Sequence, residues 1–290
     1  MRRFVDLHTH STASDGSFSP EEIIRLAEAR RLAAVALTDH DTMDGLARAR
    51  QAAREFPNLR FVGGVEVSAR FPSGTLHVLG LGIDENDPRL RRITGHLRSA
   101  RDERNPKMIA RLQAMGLAID MEDVLAVAGA RREGGAGQIV GRLHMAEALR
   151  RKGFVRTTDE AFERLIGHGC PAYVDKERLT PAQVIGAFRE CLALAVLAHP
   201  VQLEYANRLQ LERIVRGLVR DGLNGIEVYH PNHSDAQTRL YLDLARRHRL
   251  TVTGGSDFHG APKPGVNLGR PRVPLSAIQG EFAERLLHAG

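Results

Sequence analysis

His8 and His10 follow a short apolar run, Phe4 to Leu7, that reads as a buried strand. Side chains two apart on a strand share a face, so both imidazoles can close on one metal ion. Asp15 follows in a Ser/Gly-containing loop, where a hard oxygen ligand can fold back toward the same centre. His40, Glu66, His77, His199, Asp257 and His259 extend the set to six imidazoles and three carboxylates. Nitrogen and oxygen donors without thiolate suit Mn²⁺, with Zn²⁺ and Fe²⁺ as alternatives, and nine donors exceed what a single ion can use. Two or three divalent ions are therefore expected, with Glu66 as the bridge, because a carboxylate offers two oxygens where an imidazole offers one lone pair. Metals a few Å apart acidify a shared water and clamp both oxygens of a phosphoryl displacement, which makes hydrolysis of a phosphoester the economical reaction. Glu66, Asp257 and His230 are the catalytic candidates. His230 could protonate a leaving oxygen or hold a phosphate, with a supporting or structural role as the alternative.

These residues need elements that gather them. Ser19 as N-cap, Pro20 and two glutamates announce a helix over Pro20 to Arg30. Ala33 to Thr38 reads as an apolar strand running into Asp39-His40-Asp41, Gly45 to Phe56 as a helix, and Arg60 to Val67 as a strand carrying Glu66. Leu76 to Ile83 is a further apolar run with His77 at its start. The rhythm resumes with strands at Leu192 to Ala198, Gly225 to Tyr229 and Leu250 to Thr253, which run into His199-Pro200, His230 and Gly254-Gly255-Ser256-Asp257-Phe258-His259. Helices over Leu209 to Arg220 and Ser234 to His248 separate them. Strands alternating with helices argue for a parallel sheet or barrel, with chemistry at the strand C-termini.

Between residues 101 and 180 the pattern is helical, without a convincing strand, and is interrupted by the Gly-rich run Glu133 to Gly137. The expected organisation is a barrel from residues 1–100 and 181–290 with a helical insertion, or cap, from 101–180. Arg142, His144 and Lys176 in that insertion are candidate phosphate contacts.

The net charge of +6, with arginines concentrated between residues 89 and 156, favours an anionic partner such as a phosphate ester or nucleic acid. No apolar run approaches the ~20 residues of a membrane span, and Met1-Arg2-Arg3 leads into a strand rather than a signal segment, so a cytoplasmic location is expected. Cys170 and Cys191 are too few for a disulfide framework and read as buried apolar residues. Gly-x-Ser-x-Gly, Walker and Gly-x-Gly-x-x-Gly signatures are all missing. A barrel of this length can function alone, without an obligate protein partner.

His8-Thr9-His10-Ser11 with Ser14-Asp15-Gly16, Thr38-Asp39-His40-Asp41, Gly64-Val65-Glu66-Val67-Ser68, His199-Pro200 and Gly255-Ser256-Asp257-Phe258-His259 resemble, in order, the motifs of the PHP (polymerase and histidinol phosphatase) family. The resemblance implies a distorted (β/α)₇ barrel with two or three metals at its mouth. It implies His8, His10, Glu66 and Asp257 at one metal, Asp15, His40 and His259 at another, and Glu66, His77 and His199 at a third. Asp15 stands where many trinuclear members have histidine. Val140 to His144 and Pro171 to Lys176 are similar to the subgroup of 3′,5′-nucleoside bisphosphate phosphatases and 5′→3′ exoribonucleases. That likeness implies release of a 3′-phosphate, or cleavage of short 5′-phosphorylated RNA, by a metal-bridging hydroxide. Arg142, His144, Lys176 and Asn232 would then grip the other phosphate. Histidinol-phosphate phosphatase, and a non-catalytic interaction module, are the alternatives.

Overall fold

A computed structural model describes residues 3–72, 74–129, 139–280 and 282–284. Among these residues eight strands form one sheet: β1 (Phe4–Asp6), β2 (Ala34–Leu37), β3 (Arg60–Ala69), β4 (Leu76–Leu81), β5 (Leu194–Leu197), β6 (Gly225–Tyr229), β7 (Thr251–Gly254) and β8 (Val273–Pro274). They are ordered β7-β6-β5-β4-β3-β2-β1-β8. Leu7 N–H donates to the Gly254 carbonyl at 3.1 Å, and His10 N–H to that of Phe258 at 2.9 Å. These bonds join β1 to β7 and close a barrel of the seven strands read from the sequence. Strand β8 pairs antiparallel to the outer edge of β1.

The sheet is not wholly parallel, as the alternation of strands and helices had suggested. Strand β4 runs antiparallel to both β3 and β5. The short segment after β3 leaves no room for a helical crossover, and antiparallel neighbours need none. The reversal puts the first residues of β4, and so His77, at the mouth where the other strands end.

Helices α1 (Pro20–Ala29), α2 (Leu46–Ala53), α7 (Pro181–Glu190), α8 (Arg208–Asp221) and α9 (Asp235–His248) surround the barrel. Ser19 caps α1 through Glu22 N–H in a capping box, as its sequence predicts. Ile23, Leu46, Val184, Leu211 and Tyr241 from these helices pack with Val35, Val67, Val78 and Ile226 of the strands. Strand residues of the opposite parity, among them Ala36, Val62, Leu79 and Val196, fill the interior. Continued two residues at a time, that inward register reaches His40, Glu66 and His77.

Helix α3 (Pro88–Ala114) runs unbroken through residue 100. Its Leu90 and Leu97 belong to the layer outside the barrel, whereas Met108, Ile109 and Leu112 join a separate apolar cluster. That cluster is completed by α4 (Met121–Ala128), α5 (Arg142–Arg151), α6 (Thr158–Ala161) and the wider turn Phe162–Ile166 that follows it. The Gly-rich run Glu133 to Gly137 lies outside the described residues. Cys170 and Cys191 are only half-buried, not core residues, and Cys170 Sγ lies 3.1 Å from the Glu163 carbonyl. Among the described residues, no helix is long and apolar enough to cross a membrane.

Gly80 lies under the ring of Phe188 from α7, where an added Cβ would approach the ring to 2.6 Å. Phe188 is therefore the side chain that fixes α7 onto β4. Phe188→Ala should lower stability by about 3–5 kcal/mol in urea denaturation, and a loss below about 1 kcal/mol would contradict this role.

Candidate functional site

Glu66 has no exposed surface, and imidazole nitrogens surround its carboxylate. His77 Nδ1 is 2.7 Å and His199 Nε2 2.8 Å from Oε1, while His40 Nδ1 is 2.9 Å and the Nε2 atoms of His8 and His10 are each 3.3 Å from Oε2. Asp257 Oδ1 lies 3.3 Å from His10 Nε2 and 3.6 Å from His8 Nε2. Asp15 sits to one side, its Oδ1 3.4 Å from His259 Nε2 and its Oδ2 3.9 Å from His40 Nε2. All nine sequence-selected donors thus meet at the mouth.

Among the described residues three groups have ligand atoms close enough to hold an ion: His10, Asp15, His40 and His259; His8, His10 and Glu66; and His40, Glu66 and His77. His40 joins Glu66 and His77 in this geometry, and His199 reaches the same carboxylate oxygen as His77.

The donor set fits divalent cations on its hydrogen bonds alone. The Nε2 atoms of His8 and His10 face each other at 3.1 Å. Glu66 Oε2 is buried without a hydrogen-bond partner, as are Nδ1 of His10, His40 and His199. His8 Nδ1 lies 3.1 Å from Glu227 Oε1, and His259 Nδ1 lies 2.8 Å from the Asp257 carbonyl. Each acceptor keeps the proton on Nδ1 and leaves the Nε2 lone pair facing the cluster. Despite burial, which would raise it, the Glu66 carboxyl is held well below its usual range by His40 and His77.

Carboxylates that the sequence reading did not single out hold the ligand loops. Asp39 accepts from Ser11 N–H at 2.7 Å, Ser11 Oγ at 2.7 Å and Ser14 Oγ at 2.6 Å, fixing the loop between His10 and Asp15. Asp6 accepts from Ser256 N–H at 2.9 Å and Oγ at 2.6 Å, next to Asp257. Glu227 accepts from His199 N–H at 2.7 Å while contacting His8. A lone carboxylate inside an apolar strand, as in Gly225-Ile226-Glu227-Val228-Tyr229, was the available signal. Asp41, His199 and Asp257 adopt positive φ of 55°, 24° and 52° at this mouth, a strained conformation for residues with a Cβ. Gly255 must lack a Cβ, which would meet His8 at 2.5 Å.

His230 is buried, with Nε2 3.5 Å from Asp257 Oδ2. Its Nδ1 accepts from Asn232 N–H at 3.1 Å, which puts the proton of the neutral ring on Nε2, facing the cluster. The Asn232 side chain is exposed, and the residue acts here through its backbone.

Beside His77 and Ser68 opens a cavity of about 210 Å³ lined by Arg101, Arg104, Arg142, Lys176 and Arg178. Lys176 and Arg101 both bind the buried Asp41, Arg101 through bonds of 2.8 and 2.6 Å. Asp41, a spare strand-end carboxylate in the sequence, is held low by these two cations although burial opposes it. Arg142 stacks over Phe162 and Tyr173 at 5.6 and 5.4 Å. Arg104 is 5% exposed and pairs with no carboxylate among the described residues. Among those residues its guanidinium donates only to Asn105 Oδ1, at 3.1 and 2.7 Å. Burial, with Arg101 and Arg142 nearby, pulls its pKa down to about 9. Arg101 and Arg104 carry no sequence signal, being two of many arginines on a long helix. His144 faces away from this cavity; its Nδ1 accepts from Gly141 N–H at 3.1 Å.

A barrel whose mouth gathers nine imidazole and carboxylate donors beside a buried basic cavity defines a metal-dependent phosphoesterase. The chain belongs to the PHP domain family, whose model matches residues 6–168. It is 35% identical over 265 residues to a 3′,5′-nucleoside bisphosphate phosphatase of Chromobacterium violaceum, covering 91% of this chain and 90% of that one. It is 32% identical over 276 residues to the 5′-3′ exoribonuclease Rnm of Salmonella typhimurium, covering 95% and 91%. A solved amidohydrolase structure from Chromobacterium violaceum, with bound sulfate and no metal, superposes with a TM-score of 0.84 at 33% identity, covering 97% of this chain and 95% of that one.

Burial and then Arg101 pull the Lys176 pKa down to about 7, so the free amine loses its proton as pH rises through neutrality. A dianion in the cavity favours the charged form. Sulfate affinity should therefore fall as pH rises from about 6 to 9, with proton uptake on binding near pH 8. Titration calorimetry in buffers of different ionisation enthalpy measures both, and a pH-independent affinity without proton uptake would contradict the assignment.

Proposed function

We propose that this protein hydrolyses the 3′-phosphoester of 5′-phosphorylated nucleotides: nucleoside 3′,5′-bisphosphates, giving the nucleoside 5′-monophosphate and phosphate, and short 5′-phosphorylated oligoribonucleotides. The observation that carries the reading is Arg104, a buried guanidinium that pairs with no carboxylate among the described residues, in a cavity that also borders His77. An uncompensated buried cation calls for an anion, and its position beside the donor set calls for a substrate with two phosphates. The names of the bisphosphatase and exoribonuclease relatives support this choice over histidinol phosphate, which has one phosphate.

In this reading His8, His10, Asp15, His40, Glu66, His77, His199, Asp257 and His259 hold two or three divalent ions, with Mn²⁺ as the proposed metal. When bound, the ions supply an activated water and charge neutralisation at the phosphorus. The residues of the chain supply position. Arg104, Arg142 and Lys176 hold the 5′-phosphate, fixing the ribose so that its 3′-ester lies over Glu66 and Asp257. His230, with its proton on Nε2, donates to the leaving 3′-oxygen. Residues 101–180 act as a cap that places the phosphate grip over the barrel mouth, and the site is formed within one chain. A cytoplasmic location suits a nucleotide substrate.

Adenosine 3′,5′-bisphosphate supplied with Mn²⁺ should yield adenosine 5′-monophosphate, and chelation should abolish the reaction. Arg104→Met should lower kcat/KM on the bisphosphate by about 10–100-fold, the loss of one charge-assisted bond, yet spare adenosine 3′-monophosphate. Equal losses on both substrates would sink the two-phosphate reading. Asp39→Ala should weaken Mn²⁺ binding about 10–100-fold in calorimetry by releasing the Ser11 to Asp15 loop.

A further inference from the structure

The donor set adjoins a second cavity. The rings of His77, His40, His10 and His259 follow one another with centroids 5.3, 4.5 and 4.1 Å apart, and His259 Nε2 then lies 3.4 Å from Asp15. His77 borders the arginine cavity at one end of this row. At the other end Asp15 borders a groove of about 520 Å³ between the barrel loops and helices α4 and α5. A nucleotide-sized ligand needs a cavity of about this size.

The groove joins an apolar wall to a basic rim. Val127 and Leu143 offer the kind of surface on which a base or ribose packs, and Ala261 lies across from them on the barrel side. Arg150 and Arg151 both pair with the single carboxylate of Glu147, at 2.7 and 2.9 Å. Arg156 donates its backbone N–H to Glu160 Oε2 at 2.7 Å, while its guanidinium makes no ion pair within 4 Å among the described residues. The rim therefore carries an excess of positive charge, complementary to a phosphodiester backbone.

We infer that this groove receives the nucleotide on the 3′ side of the scissile ester, so that oligoribonucleotides are bound on both sides of the metal site. The inference rests on the proposed seat of the 5′-phosphate in the arginine cavity. A chain anchored there, with its first 3′-ester over Glu66, continues away from that cavity, toward the side on which Asp15 borders the groove. A nucleoside bisphosphate ends at the metals and leaves the groove empty. The groove thus affects polymer and mononucleotide differently.

The test compares kcat/KM on adenosine 3′,5′-bisphosphate and on 5′-phosphorylated triadenylate, with Mn²⁺, for the wild type, Arg156→Glu and Ala261→Trp. The first variant reverses the rim charge and the second fills the groove from an exposed loop. Each should lower kcat/KM on the trinucleotide about tenfold and change that on the bisphosphate less than about twofold. Equal losses on both substrates, or an unchanged trinucleotide rate, would overturn the inference. A wild type that cleaves the bisphosphate and leaves the trinucleotide intact overturns the groove alone. One inert on both overturns the two-phosphate reading, and the groove with it.

Discussion

A carboxylate sealed from water and approached by five imidazoles within 3.3 Å is the constraint around which this molecule is built. Glu66 cannot be neutral there without forfeiting those contacts, and the imidazoles cannot all be protonated in so small a volume without repelling one another. Burial, together with His199 and His40, pushes the His77 pKa down to about 4 even though Glu66 raises it. Burial and Lys263 do the same to His259. At His8 and His10 burial is outweighed: Glu227 and Glu66 raise His8, and Asp257 and Glu66 raise His10 to about 9. His77 and His259 thus offer lone pairs as they stand, whereas a cation at His8 and His10 displaces protons.

Much of the barrel's mouth exists to hold that arrangement open. Asp6, Asp39 and Glu227 each bind a backbone N–H of a ligand-bearing loop, so the loops cannot collapse onto the donors. Glu227, held down to about 2 by His8 against the upward pull of burial, also fixes which nitrogen of that ring faces the centre. The positive-φ turns at His199 and Asp257 store backbone strain that these bonds offset.

Charge of the opposite sign is handled with equal economy beside it. Asp41 follows His40, so one turn sends an imidazole to the metal side and a carboxylate to the cation side. There Asp41 gathers Arg101 and Lys176 from segments far apart in the chain. One carboxylate binds two cations, and Arg104 beside them pairs with none among the described residues. That imbalance places part of the chain's basic excess in a buried cavity beside the donor set.

The sequence alone determined the donor set, the strands and helices that carry it, and the barrel class. Imidazoles and carboxylates at the ends of short apolar strands declare their chemistry locally, and the two-residue register that makes a strand also aims its side chains. Tertiary structure decided what depends on long-range encounters. The reversed β4 brings His77 to the mouth from the start of its strand, a direction that an apolar run does not encode. Arg101 and Arg104 look like solvated helix residues until α3 is laid against Asp41. His144 and Arg142, neighbours in sequence, face different cavities, and Asn232 contributes its backbone. Burial converts an ordinary charge into a functional one, and burial is a property of how distant segments pack.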